Sequence, residues 1–319
     1  MKNIYSNILK FNNKNLSKTL KYLRRSNIVG LPTETVYGLA GNAYSSTSVK
    51  KIYKLKKRPR INPLIIHYYD LSKLYNDVEI NENFLTLYKY FCPGPITFIM
   101  NKKKSSKISK FASGNLKTVG VRFPNNKIIR KILKRINFPL AMPSANKANA
   151  ISPVTASDVA DEFGKDIKII IDGRKSKIGI ESTVLDLTKK PNILRPGAIG
   201  REKIEKILKK KIINTNIYKK IKSPGMFRKH YSPNIPMILN KNKVSKNYAF
   251  ITFGKRYKKS INTFNLSEKS NLYEAARNLY KLFRKIKKMN YKKIYVAKIP
   301  NKGIGKAIND RLKKAAGKR

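Results

Sequence analysis

The sequence predicts an α/β protein built from two units, and three observations lead there. Short apolar runs alternate with segments of helical period through the first 200 residues. A Lys-rich stretch punctuated by prolines follows, from 213 to about 236. Beyond it, strand, helix, strand and helix patterns recur within about 70 residues, the signature of a small α/β domain. At 319 residues, with 41% hydrophobic content, 18 Tyr and 13 Phe, the chain can bury a sizeable core.

Composition narrows the chemistry. The single cysteine, Cys92, excludes an internal disulfide and a Cys-rich zinc site, and two histidines far apart, His67 and His230, leave little for a metal cluster. No secretory segment opens the chain and no apolar run is long enough to span a bilayer, so the expectation is a soluble, cytoplasmic protein with no membrane partner. The formal charge is +55. Residues 1–200 hold 37 Lys+Arg against 12 Asp+Glu, +25, and the remainder hold 35 against 5, +30. Both halves are basic, so the charge is not one appended tail. Such a field attracts RNA and other polyanions at low salt. Lys, Asn, Ile and Tyr are all abundant, however, so most of the charge reads as compositional.

Taken in order, Leu16, Leu20 and Leu23 have helical spacing over 14–25 and feed a buried strand at Ile28–Leu31. Pro32 and a hydroxyl-rich turn end that strand, and Gly38 and Gly41 allow close backbone approach. A helix is expected over 48–57, ending before Pro59, then a strand over 64–68. A helix at 82–91 is broken by Cys92-Pro93-Gly94-Pro95, and strands follow at 96–100 and 118–124, the latter with Thr118, Gly120 and Arg122 on one face. A helix at 127–136 leads to Met142-Pro143-Ser144-Ala145-Asn146. Thr155 and Asp158 have capping-box spacing for a helix ending at Gly164. A strand is expected at 167–171, the segments 181–186 and 193–197 complete the first unit, and a helix is expected over 201–212. In the second unit, a strand at 248–254, a helix over 272–286 with Ser270 as candidate N-cap, a strand at 294–297 and a helix at 304–315 complete the chain. Neither G-x-G-x-x-G nor a Walker A loop is present.

What recurs at the strand ends is Arg or Lys beside hydroxyls: Lys56, Arg58, Arg122 and Arg195 with Thr35, Thr118, Ser144 and Ser182. That set suits a reaction in which anions are bound and positioned without a covalent intermediate. A lone Arg is by default a salt-bridged or solvated charge, yet 17 acids against 72 cations leave few carboxylate partners. No Ser–His–Asp arrangement stands out, Cys92 beside Pro93 reads as structural, and His67 on an apolar strand reads as a core histidine.

The ordered run Pro32-Thr33-Glu34-Thr35-Val36-Tyr37-Gly38-Leu39, then Lys56-x-Arg58-Pro59 and Asn62-Pro63-Leu64-x-x-His67, resembles the signature of the YrdC-like family. The resemblance covers 28–200 and resumes, as in the two-domain form, at Ser223-Pro224-Gly225-Met226, His230-Tyr231-Ser232-Pro233 and Gly303–Leu312. It implies an open twisted mixed α/β sheet around a basic cavity, a small Rossmann-like C-terminal domain, and synthesis of L-threonylcarbamoyl-AMP from threonine, bicarbonate and ATP for tRNA modification. Domain bounds follow as 1–200 (catalytic), 201–236 (linker and lid) and 237–319. Carried over residue by residue, Thr35, His67, Arg122, Ser182 and the Met142 backbone would hold threonine. Lys56, Arg58, Asn62, Thr118, Ser144, Ser152 and Arg195 would hold ATP, Lys56 and Arg58 with a catalytic role, and Tyr231 would close over the nucleotide. Mg2+ would accompany ATP, with no protein metal site, and the product would pass to downstream tRNA threonylcarbamoyl-transfer machinery.

Two positions depart from the family pattern: Ala148-Asn149 where Ser-Gly is usual, and Arg174 where a second Gly follows Asp-Gly. A competing reading is an RNA-binding module using the same basic concavity without chemistry. The joint presence of Lys56, Arg58, Asn62, His67 and Arg195 favours the enzyme, because RNA affinity needs no such set. A transferase using carbamoyl phosphate is disfavoured by the lack of an acylphosphatase-like segment and Cys-x-x-Cys pairs.

Overall fold

The computed structural model describes residues 3–212, 230–243 and 247–317; the Ser223-to-Met226 motif lies outside the described residues. In the first unit the elements run β1 (Ile8–Lys10), α1 (Asn13–Arg24), β2 (Val29–Leu31), β3 (Gly38–Asn42), α2 (Ser46–Lys56), β4 (Ile65–His67), α3 (Leu71–Leu74), α4 (Glu82–Phe91), β5 (Ile96–Asn101), β6 (Thr118–Arg122), α5 (Lys127–Lys134), β7 (Leu140–Ala141), α6 (Ala156–Phe163), β8 (Ile170–Asp172), β9 (Thr183–Asp186), β10 (Asn192–Arg195) and α7 (Arg201–Leu208). The second contains β11 (Met237–Leu239), β12 (Ala249–Thr252), β13 (Thr263–Asn265), α8 (Leu272–Lys288), β14 (Ile294–Val296) and α9 (Gly305–Ala315).

The helices start where short polar side chains can take the first free amides. Asn12, Asn81 and Asn126 cap α1, α4 and α5, and the capping box at the start of α6 forms, with Thr155 and Asp158 bonding each other's backbone amides. The cap of α8 is Asn271, which accepts from the amides of Tyr273 and Glu274. Ser270, the expected cap, instead occupies the left-handed region at φ 55°.

The strands form a ten-stranded mixed sheet in the order β1-β8-β2-β3-β7-β4-β6-β5-β9-β10, and a four-stranded parallel sheet in the order β11-β14-β12-β13. The strands β1, β3, β7, β11 and β13 escaped the sequence reading. All but β3 are two or three residues long, too short to show a period. The exception, β3, carries Gly38 and Gly41, which lower strand propensity. The glycines are there for proximity: a Cβ on Gly38 would lie 2.5 Å from Met142 Cγ and 2.9 Å from the Pro143 carbonyl oxygen. The close approach expected of these glycines is thus to the turn after β7 for Gly38 and to Ser48 and Ile52 of α2 for Gly41, where a Cβ would lie 3.2 and 3.3 Å away.

The helix α7, placed by sequence in the linker, packs Ile204 and Leu208 into the first unit's core beside Leu87 of α4. A second core joins the two units. Val36, Ile151, Val154 and Ile180 from loops of the first share a buried cluster with Ile251, Ala276, Leu279, Phe283 and Ile308 of the second.

Candidate active site

The site begins in the turn between β2 and β3. The Thr33 hydroxyl accepts from the amides of Thr35 (3.1 Å) and Val36 (3.2 Å) and donates to the Val36 carbonyl (2.6 Å), which fixes the turn. Glu34 and Thr35 thereby reach the carboxyl end of β6. Arg122 Nη2 donates to Glu34 Oε1 at 2.7 Å and to Thr35 Oγ1 at 2.8 Å, and Glu34 Oε2 accepts the Asn125 amide at 3.0 Å. Arg122 Nε is buried without a partner. Sheet register sets the neighbours, because His67 and Thr97 both pair with Arg122 across adjacent strands. Thr97 Oγ1 lies 2.8 Å from Ser182 Oγ, and Arg195 donates to the Ser182 carbonyl at 3.0 Å and hydroxyl at 3.1 Å.

His67 Nδ1 lies 3.2 Å from the Ile65 carbonyl, which fixes the proton on Nδ1 and leaves Nε2, buried and unpartnered, as an acceptor. Burial, and then the Arg122 charge, keep this imidazole well below its ordinary pKa, hence neutral. Met142 donates its amide to the Ile65 carbonyl at 2.9 Å, so the backbone group it can offer a ligand is its carbonyl.

A second set of cations comes from the loop after α2. Arg58 lines the cavity and is held by its own loop, Nε to the Asn62 carbonyl (3.0 Å), Nη2 to Asn62 Oδ1 (2.6 Å) and to the Pro63 carbonyl (3.0 Å). Burial lowers its pKa to about 10, still charged at neutral pH. Lys56 is also fully buried, and its ammonium donates to the Ser144 carbonyl at 2.6 Å and to the Asn146 carbonyl. Desolvation, and next the Arg58 charge, push its pKa well below the ordinary value.

The cover comes from beyond the first unit. Tyr231, 1% exposed and at φ 62°, packs against His230 (ring centroids 4.0 Å) and stacks on Tyr280 of α8 (5.9 Å, 28° between planes). Its hydroxyl is buried and unpartnered, and burial raises its pKa to about 12. The backbone around it is pinned at both sides, His230 N to the Lys314 carbonyl (3.2 Å) and Ser232 N to the Asn149 carbonyl (3.0 Å). These residues line a partly open cavity of about 40 Å³, room for only a few waters.

Of the residues proposed from sequence, Arg58, His67, Arg122, Met142, Ser144, Ser182, Arg195 and Tyr231 line that cavity. Four others act on it from behind: Thr35 holds Arg122, Lys56 holds the Ser144 carbonyl, Asn62 holds Arg58, and Ser152 donates to Glu181 at 2.5 Å. Thr118, at the far end of β6 opposite Asn101, stands apart from the lining. Sequence reasoning missed Glu34 and Glu181. The available signal was scarcity: with 17 acids in the chain, a carboxylate flanked by threonines or preceding Ser182 stands out. Cys92 carries a thiol pushed up to about 12 by burial, which fits the structural role expected of it.

Both departures from the family pattern occupy left-handed backbone, Asn149 at φ 64° and Arg174 at φ 60°. Asn is the side chain that tolerates this region best after glycine. Arg174 is offset by local bonds: its amide donates to Asp172 Oδ1 (2.8 Å) and its carbonyl accepts from the Tyr37 hydroxyl (2.7 Å).

The chain's two histidines give a stability prediction. Burial depresses both, His230 to about 3, whereas the unfolded value is about 6.5. Below about 6.5 the unfolded chain binds more protons, so stability falls as pH falls, by up to about 1.4 kcal/mol per pH unit for each histidine. Thermal melts between pH 7 and 5 should show a steady decline, before the carboxylates titrate; a flat profile would contradict two buried neutral imidazoles.

One family model, described as telomere recombination, matches residues 21–197, and another, described as the threonylcarbamoyl-AMP synthase C-terminal domain, matches 199–317. The chain belongs to the Sua5/YciO/YrdC family in its two-domain form. It is 37% identical over 321 residues to the threonylcarbamoyl-AMP synthase of Pyrococcus abyssi, covering 93% of each chain, and 33% identical over 332 residues to that of Bacillus subtilis, covering 98% of this chain and 95% of that one. Among solved structures, P. abyssi Sua5 complexed with L-threonine superposes with a TM-score of 0.89 at 33% identity, over 97% of both chains.

Proposed function

We propose that the chain synthesises L-threonylcarbamoyl-AMP from L-threonine, bicarbonate and ATP with release of pyrophosphate, and so acts as a nucleotidyltransferase. The observation that carries this reading is the gathering of three buried guanidinium groups, Arg58, Arg122 and Arg195, around one recessed cavity with Ser144, Ser182 and a neutral His67. A recess walled by fixed cations suits anions held still against one another. The competing RNA reading is disfavoured by the same burial, since a nucleic-acid strand needs its cations on an open surface.

In the reaction, Arg122 would take the threonine carboxylate, and His67 Nε2 would accept a hydrogen bond from the amine or hydroxyl. The amine adds to bicarbonate with loss of hydroxide as water, giving the carbamate. A carbamate oxygen then attacks the α-phosphorus of ATP, and the bond to the bridging oxygen breaks with its electron pair leaving on pyrophosphate. Arg58, fixed by three bonds to its own loop, is placed to stabilise that charge. Arg195 and the Ser144 region would hold the nucleotide, and Tyr231 would exclude water from the labile mixed anhydride.

Magnesium fits here as part of the Mg–ATP substrate. Among the described residues, the one carboxylate in the cavity lining is Glu181, already bonded to Ser152, Tyr280 and Arg311, and no cluster of three or more His, Cys, Asp or Glu is present. Transfer of the product to tRNA by separate machinery, in the cytoplasm, completes the proposal; among the described residues no helix is long and apolar enough to cross a membrane.

The test is incubation of the purified chain with ATP, labelled bicarbonate and threonine. One pyrophosphate should appear per labelled threonylcarbamoyl-AMP, and none when threonine is omitted. EDTA should stop synthesis without lowering the melting temperature of the ligand-free protein. Pyrophosphate formation independent of threonine would overturn the reading, and a melting temperature lowered by EDTA would point to a resident metal.

A further inference from the structure

We propose that Arg311 of the C-terminal domain is a positioning residue for the nucleotide site: it neutralises the Glu181 carboxylate in the cavity wall and seats Tyr231 over the cavity. The inference rests on the nucleotide reading above and extends it, because it makes the first domain's affinity for a polyanion depend on α9.

The problem it solves is visible in the lining. A site for ATP is expected to be cationic, yet Glu181 sits in its wall, 5% exposed, close to Arg195. Left alone, a carboxylate there would repel a triphosphate or draw Arg195 to itself. Arg311, 0% exposed, reaches across the domain boundary and donates from Nε to Glu181 Oε2 at 3.0 Å. Its Nη1 donates to the Pro196 carbonyl (2.8 Å), just after β10, and to Asp310 Oδ2 (2.8 Å), so the guanidinium is fixed from three sides. Tyr280 of α8 donates to the same carboxylate at 2.9 Å, and Ser152 at 2.5 Å. Burial alone would raise the Glu181 pKa; Arg311 first, then Arg195, hold it at about 2 instead, so the carboxylate stays ionised and paired. The Arg311 guanidinium also lies over the Tyr231 ring, 5.2 Å from its centroid, a cation–π contact that favours the covering position. One side chain from the C-terminal domain thus sets both the charge of the cavity wall and the seat of its cover.

The experiment uses the full chain and measures binding of Mg–AMP-PNP and of threonine by calorimetry, with the melting temperature alongside. Arg311→Met should weaken AMP-PNP binding by at least about tenfold, the scale for exposing a buried charge to a like-charged ligand, and should leave threonine binding within about threefold. Glu181→Gln combined with Arg311→Met removes the unpaired carboxylate and should restore most of the lost affinity. A merely structural arginine would not be rescued in this way. If Arg311→Met fails to fold, the double variant, which buries no uncompensated charge, remains the test; a folded double variant that does not bind AMP-PNP overturns the proposal. So does a folded Arg311→Met with unchanged affinity. Failure of the wild-type chain to bind AMP-PNP would instead overturn the nucleotide reading on which the proposal rests.

Discussion

Replacing Arg58 with Ala is expected to slow pyrophosphate release by about 10²–10³-fold, the scale for losing one well-placed group that stabilises developing charge. The alternative to be separated is a structural loss, since the guanidinium also makes three bonds to Asn62 and Pro63. Bonds to a charged group contribute on the order of 1.5–3 kcal/mol each, so some fall in melting temperature will accompany the variant. The assay is therefore run well below that melting point, where the folded fraction is unaffected. Asn62→Ala serves as the companion: it keeps the charge, frees its orientation, and should give an intermediate rate. A melting shift that accounts for the whole loss of activity would reassign Arg58 to the loop.

How the loop around Arg58 was read shows what a sequence carries and what it does not. The polar signature from Leu31 to His67 was legible because its residues are near neighbours whose spacing fixes geometry: a strand, a hydroxyl-rich turn, a helix, and a cationic loop stiffened by Pro59 and Pro63. The helices were legible from their caps and apolar spacing, as at Thr155 with Asp158. The partners that neutralise the site were not legible. Arg122 and Glu34 are 88 positions apart, and Glu181 and Arg311 are 130 apart. Such pairs are created by topology, by β6 lying three strands from β3, whose preceding turn carries Glu34, and by α9 docking beside Pro196. A local pattern offers no trace of either. The strand β3 was missed for the related reason that one of its glycines, Gly38, serves a neighbour, Met142, which arrives a hundred residues later. The role of Tyr231 came from resemblance; its left-handed backbone and its stacking on Tyr280 could not be read from the letters.

Changing Arg122 to Lys should raise the KM for threonine by about 10–100-fold while leaving the affinity for ATP nearly intact. The magnitude follows from one or more lost hydrogen bonds to a charged group, on the order of 1.5–3 kcal/mol each. The geometry says why the substitution is not conservative. Nη2 already serves Glu34 Oε1 and Thr35 Oγ1, at 2.7 and 2.8 Å, and the buried Nε is a further donor without a partner. An ammonium at that position would satisfy Glu34 and Thr35 but would lack the second, separately aimed donor. Charge is retained, so neither the burial of Glu34 nor the field at Arg58 and Arg195 changes much, and the loss should fall on threonine alone. Glu34→Gln provides the converse, since it leaves the guanidinium in place with its counter-charge removed, and should change the threonine KM less than Arg122→Lys does. Equal threonine dependence in Arg122→Lys and the wild-type chain would remove Arg122 from the carboxylate role and leave it as the ion-pair partner of Glu34.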